Sequence, residues 1–278
     1  MTTITTQVED PLAIFATQRA IDLTAFVGTW PWRLQASAGP DRLIELADRL
    51  GLDGLCVSHL ASVFGFDTNA GNEALWQAAA DDQRLWPFVI INPTEPGWTE
   101  ELDRARRNGA RGIRLVPAYQ GFGLAGPAVT ELFEAADDLG LPVQVCVNLD
   151  DERVRHPRYA VDPIDSAAIA ELIRARAGRR IGLSGIKYTD WPEIAAHLDH
   201  GHDLSRVLVD LWFTNGPVGA LGELCRNGLD RLFGFGSCHP VQESVATAYQ
   251  LGAADVDHDQ RARLCGDNAR RWFDAEEE

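Results

Sequence analysis

A chain of 278 residues with 45% hydrophobic and 24% charged residues is ordinary for a globular protein and long enough to bury one sizeable core. Its formal net charge of -16 sets it against nucleic acid and against an anionic membrane surface, since both call for Lys/Arg neutralisation. No apolar run approaches the roughly 20 residues of a membrane span, the N-terminus MTTITTQVEDPLAIFATQRA lacks the basic-then-apolar order of a signal peptide, and five scattered cysteines make no disulfide framework, so a reduced, cytoplasmic setting is expected.

Short β-like runs alternate with amphipathic helical stretches, the pattern of a parallel sheet with crossover helices. AIDLTAFVG (20–28) is the first run, and the helix DRLIELADRLG (41–51) follows, with Asp41 near its start and Gly51 at its C-terminal stop. GLCVSHL (54–60) leads to NEALWQAAADD (72–82), WPFVIINP (86–93) to a charged helix over 99–108, and GIRLVPAY (112–119) to AVTELFEAADDLG (128–140). PVQVCVNL (142–149) leads to SAAIAELIRARAG (166–178), RIGLSGI (180–186) to WPEIAAHL (191–198), and RVLVDLWF (206–213) to PVGALGELCRNG (217–228). LFGFGSC (232–238) is the eighth run, and helical stretches carry the chain onward. Eight alternating units predict a single α/β domain, a (β/α)8 TIM barrel over 19–278, behind an N-terminal extension over 1–18. An open doubly wound sheet is the alternative, but it rarely needs eight such units. The irregular stretch 148–162 is then a long loop after the fifth strand, on the face where barrels of this type carry function.

Several of these segments resemble the amidohydrolase-related family of metal-dependent hydrolases and decarboxylases, over residues 21–273. IDLTAFVG resembles the family's first strand, D-x-H-x-H, and LGLPVQVCVN its fifth, where His follows L-P-V-x-x. RRIGLSGIK resembles the sixth, with its usual Ser-His pair, LFGFGSCHP the eighth, G-S-D-x-P, and LCGDNARRWF the closing helix. The resemblance implies the barrel and, in ordinary members, a catalytic metal. Here the inherited metal positions hold Thr24, Phe26, Cys146, Gly185 and Cys238. Phe26 and Gly185 offer no ligand side chain and Thr24 is a poor one, whereas catalytic zinc commonly takes three His or carboxylate ligands. No metal at that site and no other cofactor are therefore expected.

What remains at the predicted mouth supplies the candidate site. Thr24 points into the barrel by strand alternation, with Asp22 lower down. Arg114, at a strand end where the family often puts a cation, is a candidate fork for a substrate carboxylate, or else a structural ion pair. Cys146 and Cys238, with His239 adjacent, read as a nucleophilic or acid–base thiol, as a soft-metal site, or as small buried hydrophobes. Consecutive residues on a strand face opposite sides, so Cys238 and His239 need not point the same way. Within the long loop, Arg153 and His156 can share a face of a turn and close over an anion, with His156 an acid or base at neutral pH. Lys187 is a candidate anion binder, and Trp212 with Trp30, Trp32 and Trp191 a candidate aromatic wall. The cluster His197, His200 and His202 belongs to the opposite, stability face.

Two functions follow. The first is a metal-independent hydrolase of a small anionic or cyclic ester, lactone or amide, with decarboxylation a close second; Arg114 orients substrate while Cys146, Cys238, His239 or His156 moves protons. The second is a non-catalytic barrel that binds a small ligand or a partner protein. Loss of the metal residues favours the second, and the retained polar groups favour the first. Either form is expected as an isologous homodimer.

Overall fold

The structure, a computed structural model, describes residues 9–30, 37–65, 67–151, 161–214, 216 and 219–274. Eight parallel strands run in chain order: β1 (Ile21–Thr29), β2 (Gly54–His59), β3 (Leu85–Ile90), β4 (Gly112–Leu115), β5 (Val143–Cys146), β6 (Ile181–Ser184), β7 (Val207–Asp210) and β8 (Phe233–Gly234). Each pairs in parallel with the next, as in Ile113↔Val143, Val145↔Leu183 and Val209↔Phe233. The chain leaving β8 returns to β1. Leu23 N–H donates to Phe235 O (3.0 Å), Cys238 N–H to Thr24 O (2.8 Å), and Phe26 N–H to His239 O (2.8 Å). These bonds close the curled sheet into the predicted barrel. A two-residue strand, Ser37–Ala38, adds an antiparallel cap to the far end of β1.

The helices form where the pattern places them. In Pro40–Leu50, a proline opens the first turn, Asp41 meets the positive helix end, and Leu43, Leu46, Ala47 and Leu50 bury one face. Gly51 stops it in the left-handed conformation. Several strands are shorter than the apolar runs that foretell them. β5 ends at Cys146, and the run after β4 turns into a short helix, Pro117–Gln120, because proline there cannot donate to the ladder. The segment assigned to an N-terminal extension contains a helix, Pro11–Ala16, whose Phe15 is fully buried against Phe235 (ring centroids 4.8 Å). It lies on helix Ser244–Ala253 so closely that a Cβ at Gly252 would meet Pro11 O at 1.8 Å.

Three layers fill the barrel axis, as the fold requires of a packed core rather than a pore. At the base, Ile21, Leu23, Cys56, Phe88 and Leu208 pack against Ala269 and Trp272 of the last helix. At the C-terminal mouth, Phe26, Ile90, Val116, Cys146, Trp212 and Cys238 form a second apolar cluster, covered by Trp30, Leu60, Leu149 and Phe213. Between them lies a polar layer: Thr24, Ser58, Arg114, Gln144, Ser184 and Asp210, all buried.

Candidate functional site

Arg114 is the centre of the polar layer. Its Nε donates to Gln144 Oε1 (2.7 Å). Nη1 donates to Ala25 O (3.2 Å) and Ser58 Oγ (2.8 Å), and Nη2 to Leu23 O (3.1 Å) and Cys56 O (3.1 Å). A guanidinium has five N–H donors, and all five are thus engaged by neutral protein acceptors. The ring of Phe26 lies over it at 4.8 Å and that of Phe88 at 5.7 Å, positions that favour a cation. Neither a substrate fork nor an ion pair describes this arrangement. The guanidinium is a brace between β1, β2, β4 and β5.

Two buried carboxylates share its field. Asp210, at the end of β7, accepts from the Thr24 hydroxyl and from Gly185 N–H (3.2 Å). Gln144 Nε2 completes the circuit by donating to Thr24 Oγ1 (3.1 Å) and Leu23 O (3.0 Å), and Trp212 Nε1 donates to Ser184 Oγ (3.0 Å). Asp22 departs from the predicted inward alternation. A register shift between Asp22 and Ala25 breaks the pattern of β1. The Asp22 carboxylate goes to the β1–β8 seam, where Oδ1 accepts from Thr24 N–H (3.0 Å) and Ser237 N–H (2.9 Å).

Burial pushes both carboxyls up to about 6, against the opposing pull of their hydrogen bonds and of Arg114. A folded-state value above the unfolded one means the folded form holds its protons more tightly, so stability is greatest at low pH and falls as pH rises from about 4 to about 6. His239 works oppositely. Burial, then the charge of Arg42, lowers it to about 4, so it costs stability as pH falls from its ordinary 6.5. Asp210→Asn is expected to remove the downward slope contributed by Asp210 and leave those of Asp22 and His239. Urea unfolding of parent and variant across this window checks it, and identical slopes would mean that Asp210 titrates normally.

The remaining predicted residues are dispersed. Cys146 and Cys238 are fully buried in the mouth cluster. Cys146 Sγ faces Asn148 O (3.4 Å) and Cys238 Sγ faces Leu149 O (3.9 Å). Burial raises both thiols well above their usual range, so they stay protonated at neutral pH. His239 points away from Cys238: its Nδ1 meets the Ser244 hydroxyl, beyond the seam. Trp212 and Trp30 pack inside the mouth cluster, while Trp191 belongs to the outer core. Arg153, His156 and Trp32 lie outside the described residues.

The inherited metal positions do not fit a metal. The Thr24 hydroxyl is committed to Asp210 and Gln144, and the Phe26 ring covers Arg114. Gly185 is left-handed (φ +83°), and a Cβ on it would stand 2.2 Å from Asn148 O. No side chain, histidine included, has room there. Among the described residues, no group of three His, Cys, Asp or Glu is placed to hold a metal ion.

A cavity of about 580 Å³ opens beside the sealed axis, over the ends of β5, β6 and β7. Val147, Asn148 and Asp151 line it from β5, Gly185, Lys187, Tyr188 and Asp190 from β6, and Phe213 and Thr214 from β7. Of the site residues expected from sequence and described in the structure, Lys187 is the one that lines it. Sequence reading passed over Thr214, Asp210, Gln144, Ser58 and Ser184. For Asp210, Gln144 and Ser184 a signal existed: each is the lone polar side chain of an otherwise apolar strand.

Comparison with known proteins places this geometry in a family. The family model described as amidohydrolase matches residues 34–275. No curated protein sequence matches the chain. Among solved structures, 2,6-dihydroxybenzoate decarboxylase from Rhizobium is similar at a TM-score of 0.67 and 16% identity, over 91% of this chain and 98% of that one. A 5-carboxyvanillate decarboxylase from Novosphingobium aromaticivorans, complexed with manganese and 4-hydroxy-3-methoxy-5-nitrobenzoic acid, gives 0.68 and 15%, over 91% and 95%. A probable 2-pyrone-4,6-dicarboxylic acid hydrolase from Acinetobacter baumannii, with citric acid bound, gives 0.63 and 13%, over 92% and 99%. At these identities the likeness is one of fold.

Proposed function

The chain belongs to the amidohydrolase family, and from that premise we propose that it is a metal-independent member that binds a small anionic ring compound in the cavity beside the barrel axis. The observation that carries this reading is the exchange of positions. The axis where the family places its chemistry is filled by an apolar plug over a saturated guanidinium, while the open cavity presents a lysine beside aromatic side chains. In this reading Cys146, Cys238 and His239 move no protons, and Arg114, Asp22 and Thr24 hold the barrel together. The decarboxylases and the hydrolase of similar fold are named for carboxylated ring compounds, which suits a cationic, aromatic-walled cavity.

A second reading is metal-free hydrolysis of a cyclic ester, favoured by Asp151 and Asp190 lining the same cavity as Lys187: a carboxylate there can take a proton from water. Calorimetric titration of chelator-treated protein with 2,6-dihydroxybenzoate and with a six-membered lactone tests both. Saturable binding, indifferent to chelator and to added manganese or zinc, is expected. Metal-free lactone turnover would establish the second reading. Binding or turnover that appears only with one equivalent of metal would overturn both. Self-association as an isologous dimer accompanies the proposal, to be read by light scattering.

A further inference from the structure

We propose that Lys187 bonds covalently to an aldehyde, its ammonium condensing to an iminium at the wall of this cavity. The inference rests on the reading of the cavity as a ligand site and adds a bond that the ligand makes there.

The sequence supplies the first observation. Of 25 basic residues, 24 are arginine and one, Lys187, is lysine. Arginine takes the surface ion pairs, as in Arg84 with Asp48 and Asp82, Arg179 with Asp137, and Arg270 with Asp53. Arginine also braces the core, at Arg114. A guanidinium serves wherever a fixed charge is enough, whereas an amine can shed a proton and use its lone pair as a nucleophile. The one amine side chain of the sequence stands on the lining of the 580 Å³ cavity.

The geometry supplies the second. Lys187 is exposed, and the buried Ile186 and Tyr188 anchor the backbone on either side of it. Among the described residues no carboxylate pairs with its Nζ. The Nζ stands 4.8 Å over the ring of Phe213, which is itself stacked on Trp212 (centroids 4.7 Å). That contact holds the nitrogen at the wall and favours a cation there. An iminium carries the same single positive charge as an ammonium. The ring therefore favours both, as do Asp151 and Asp190 on the same lining.

The condensation balances without a further reagent. Nζ first gives one proton to water, for which the Asp190 carboxylate is an acceptor on the same lining. Its lone pair bonds to the aldehyde carbon, the C=O pair moves onto oxygen, and a second nitrogen proton follows it there. The first proton then returns to that hydroxyl, which leaves as water while the nitrogen lone pair closes the C=N bond. An ammonium and an aldehyde thus give an iminium and one water, with no net change of charge.

The test treats the full chain at pH 7 with benzaldehyde and cyanoborohydride, which reduces the iminium to a stable amine, and maps the adducts by peptide mass. The N-terminal amine of the same chain is the internal standard. An ordinary lysine, with a pKa of about 10.4 against about 7.7–8.0 for an α-amine, holds far less free amine at pH 7 and labels more slowly. Lys187 is expected to label at least tenfold faster than the N-terminal amine and to lose that lead in urea. Asp190→Asn should slow labelling of Lys187 severalfold and leave that of the N-terminal amine unchanged. Labelling of Lys187 no faster than the standard, or equally fast in urea, would overturn this inference. Saturable binding of 2,6-dihydroxybenzoate in that same preparation would leave the ligand-binding reading standing. Fast labelling of Lys187 with no binding of 2,6-dihydroxybenzoate would instead remove the anionic ligand from that reading and keep the covalent one.

Discussion

Arg114→Met is expected to lower the melting temperature by on the order of 10 °C and to leave ligand affinity in the folded protein unchanged. From β4 the side chain gives five hydrogen bonds to acceptors on three other strands, β1, β2 and β5. Methionine fills much of the volume but donates nothing, so Leu23 O, Ala25 O, Cys56 O, Ser58 and Gln144 each lose a buried bond. The carboxylates of Asp22 and Asp210 also lose their nearby positive charge. Breaking a buried charge arrangement by removing one partner costs about 3–5 kcal/mol, and each kcal/mol moves the melting point of a chain of this size by about 2–4 °C. Arg114→Lys should recover little, because one compact ammonium cannot reach five acceptors spread around a planar fork. Thermal melts and calorimetry on the two variants decide the matter. A parental melting point with lost ligand affinity would return Arg114 to the role of substrate anchor.

The second large effect is at Gly185, the position that the sequence resemblance sets against the histidine of the family's sixth strand. Gly185→His should fail to acquire metal and should unfold the mouth of the barrel. The residue holds φ +83°, where an L side chain costs roughly 1–2 kcal/mol before any contact is made. The new Cβ would then lie 2.2 Å from Asn148 O and 2.7 Å from Asn148 N, both backbone atoms that cannot swing aside. Gly185 N–H also holds the Asp210 carboxylate, so moving it disturbs the polar layer. A total loss above about 3 kcal/mol is expected, the scale of local strain added to a broken buried bond. Elemental analysis and denaturant unfolding read the two halves separately. A stable variant carrying one equivalent of zinc would show that the old metal site is latent rather than rebuilt.

The barrel was legible in the sequence because hydrophobic periodicity reports which face of each element is buried, and eight strand-like runs separated by helical ones admit few topologies. Strand ends were less legible. The runs after β4 and β5 stay apolar past the last ladder bond because they go on to cover the mouth, and apolar burial there reads the same in a strand or in a plug. At the site, residue types at the inherited positions were readable, but their partners were not. Nothing local to GIRLVP tells that Leu23, Ala25 and Cys56 will offer carbonyls to Arg114, since those acceptors arrive from strands far away in the chain. The partner of Asp22 was hidden for a related reason: β1 shifts register after Asp22, whose carboxylate accepts from Ser237 across the seam, a contact the first strand does not carry by itself. Lys187 was identified as a candidate because a cation just past a strand end stands at the functional face whatever its neighbours are.

The seam between β1 and β8 also sets a timetable for the chain as it is made. Asp22 and Ser237 stand 215 residues apart in sequence, and Trp272, which closes the base, comes later still. At the ribosomal pace of about 5–20 residues per second, the first strand waits on the order of ten seconds or more before its partner exists. Through that interval β1 carries one unpaired edge, with only the two-residue strand Ser37–Ala38 bonded at its far end. Open strand edges recruit other strands, so the vulnerable species of this protein is the nascent chain, and damage to β8 or the seam residues after it is felt first at β1.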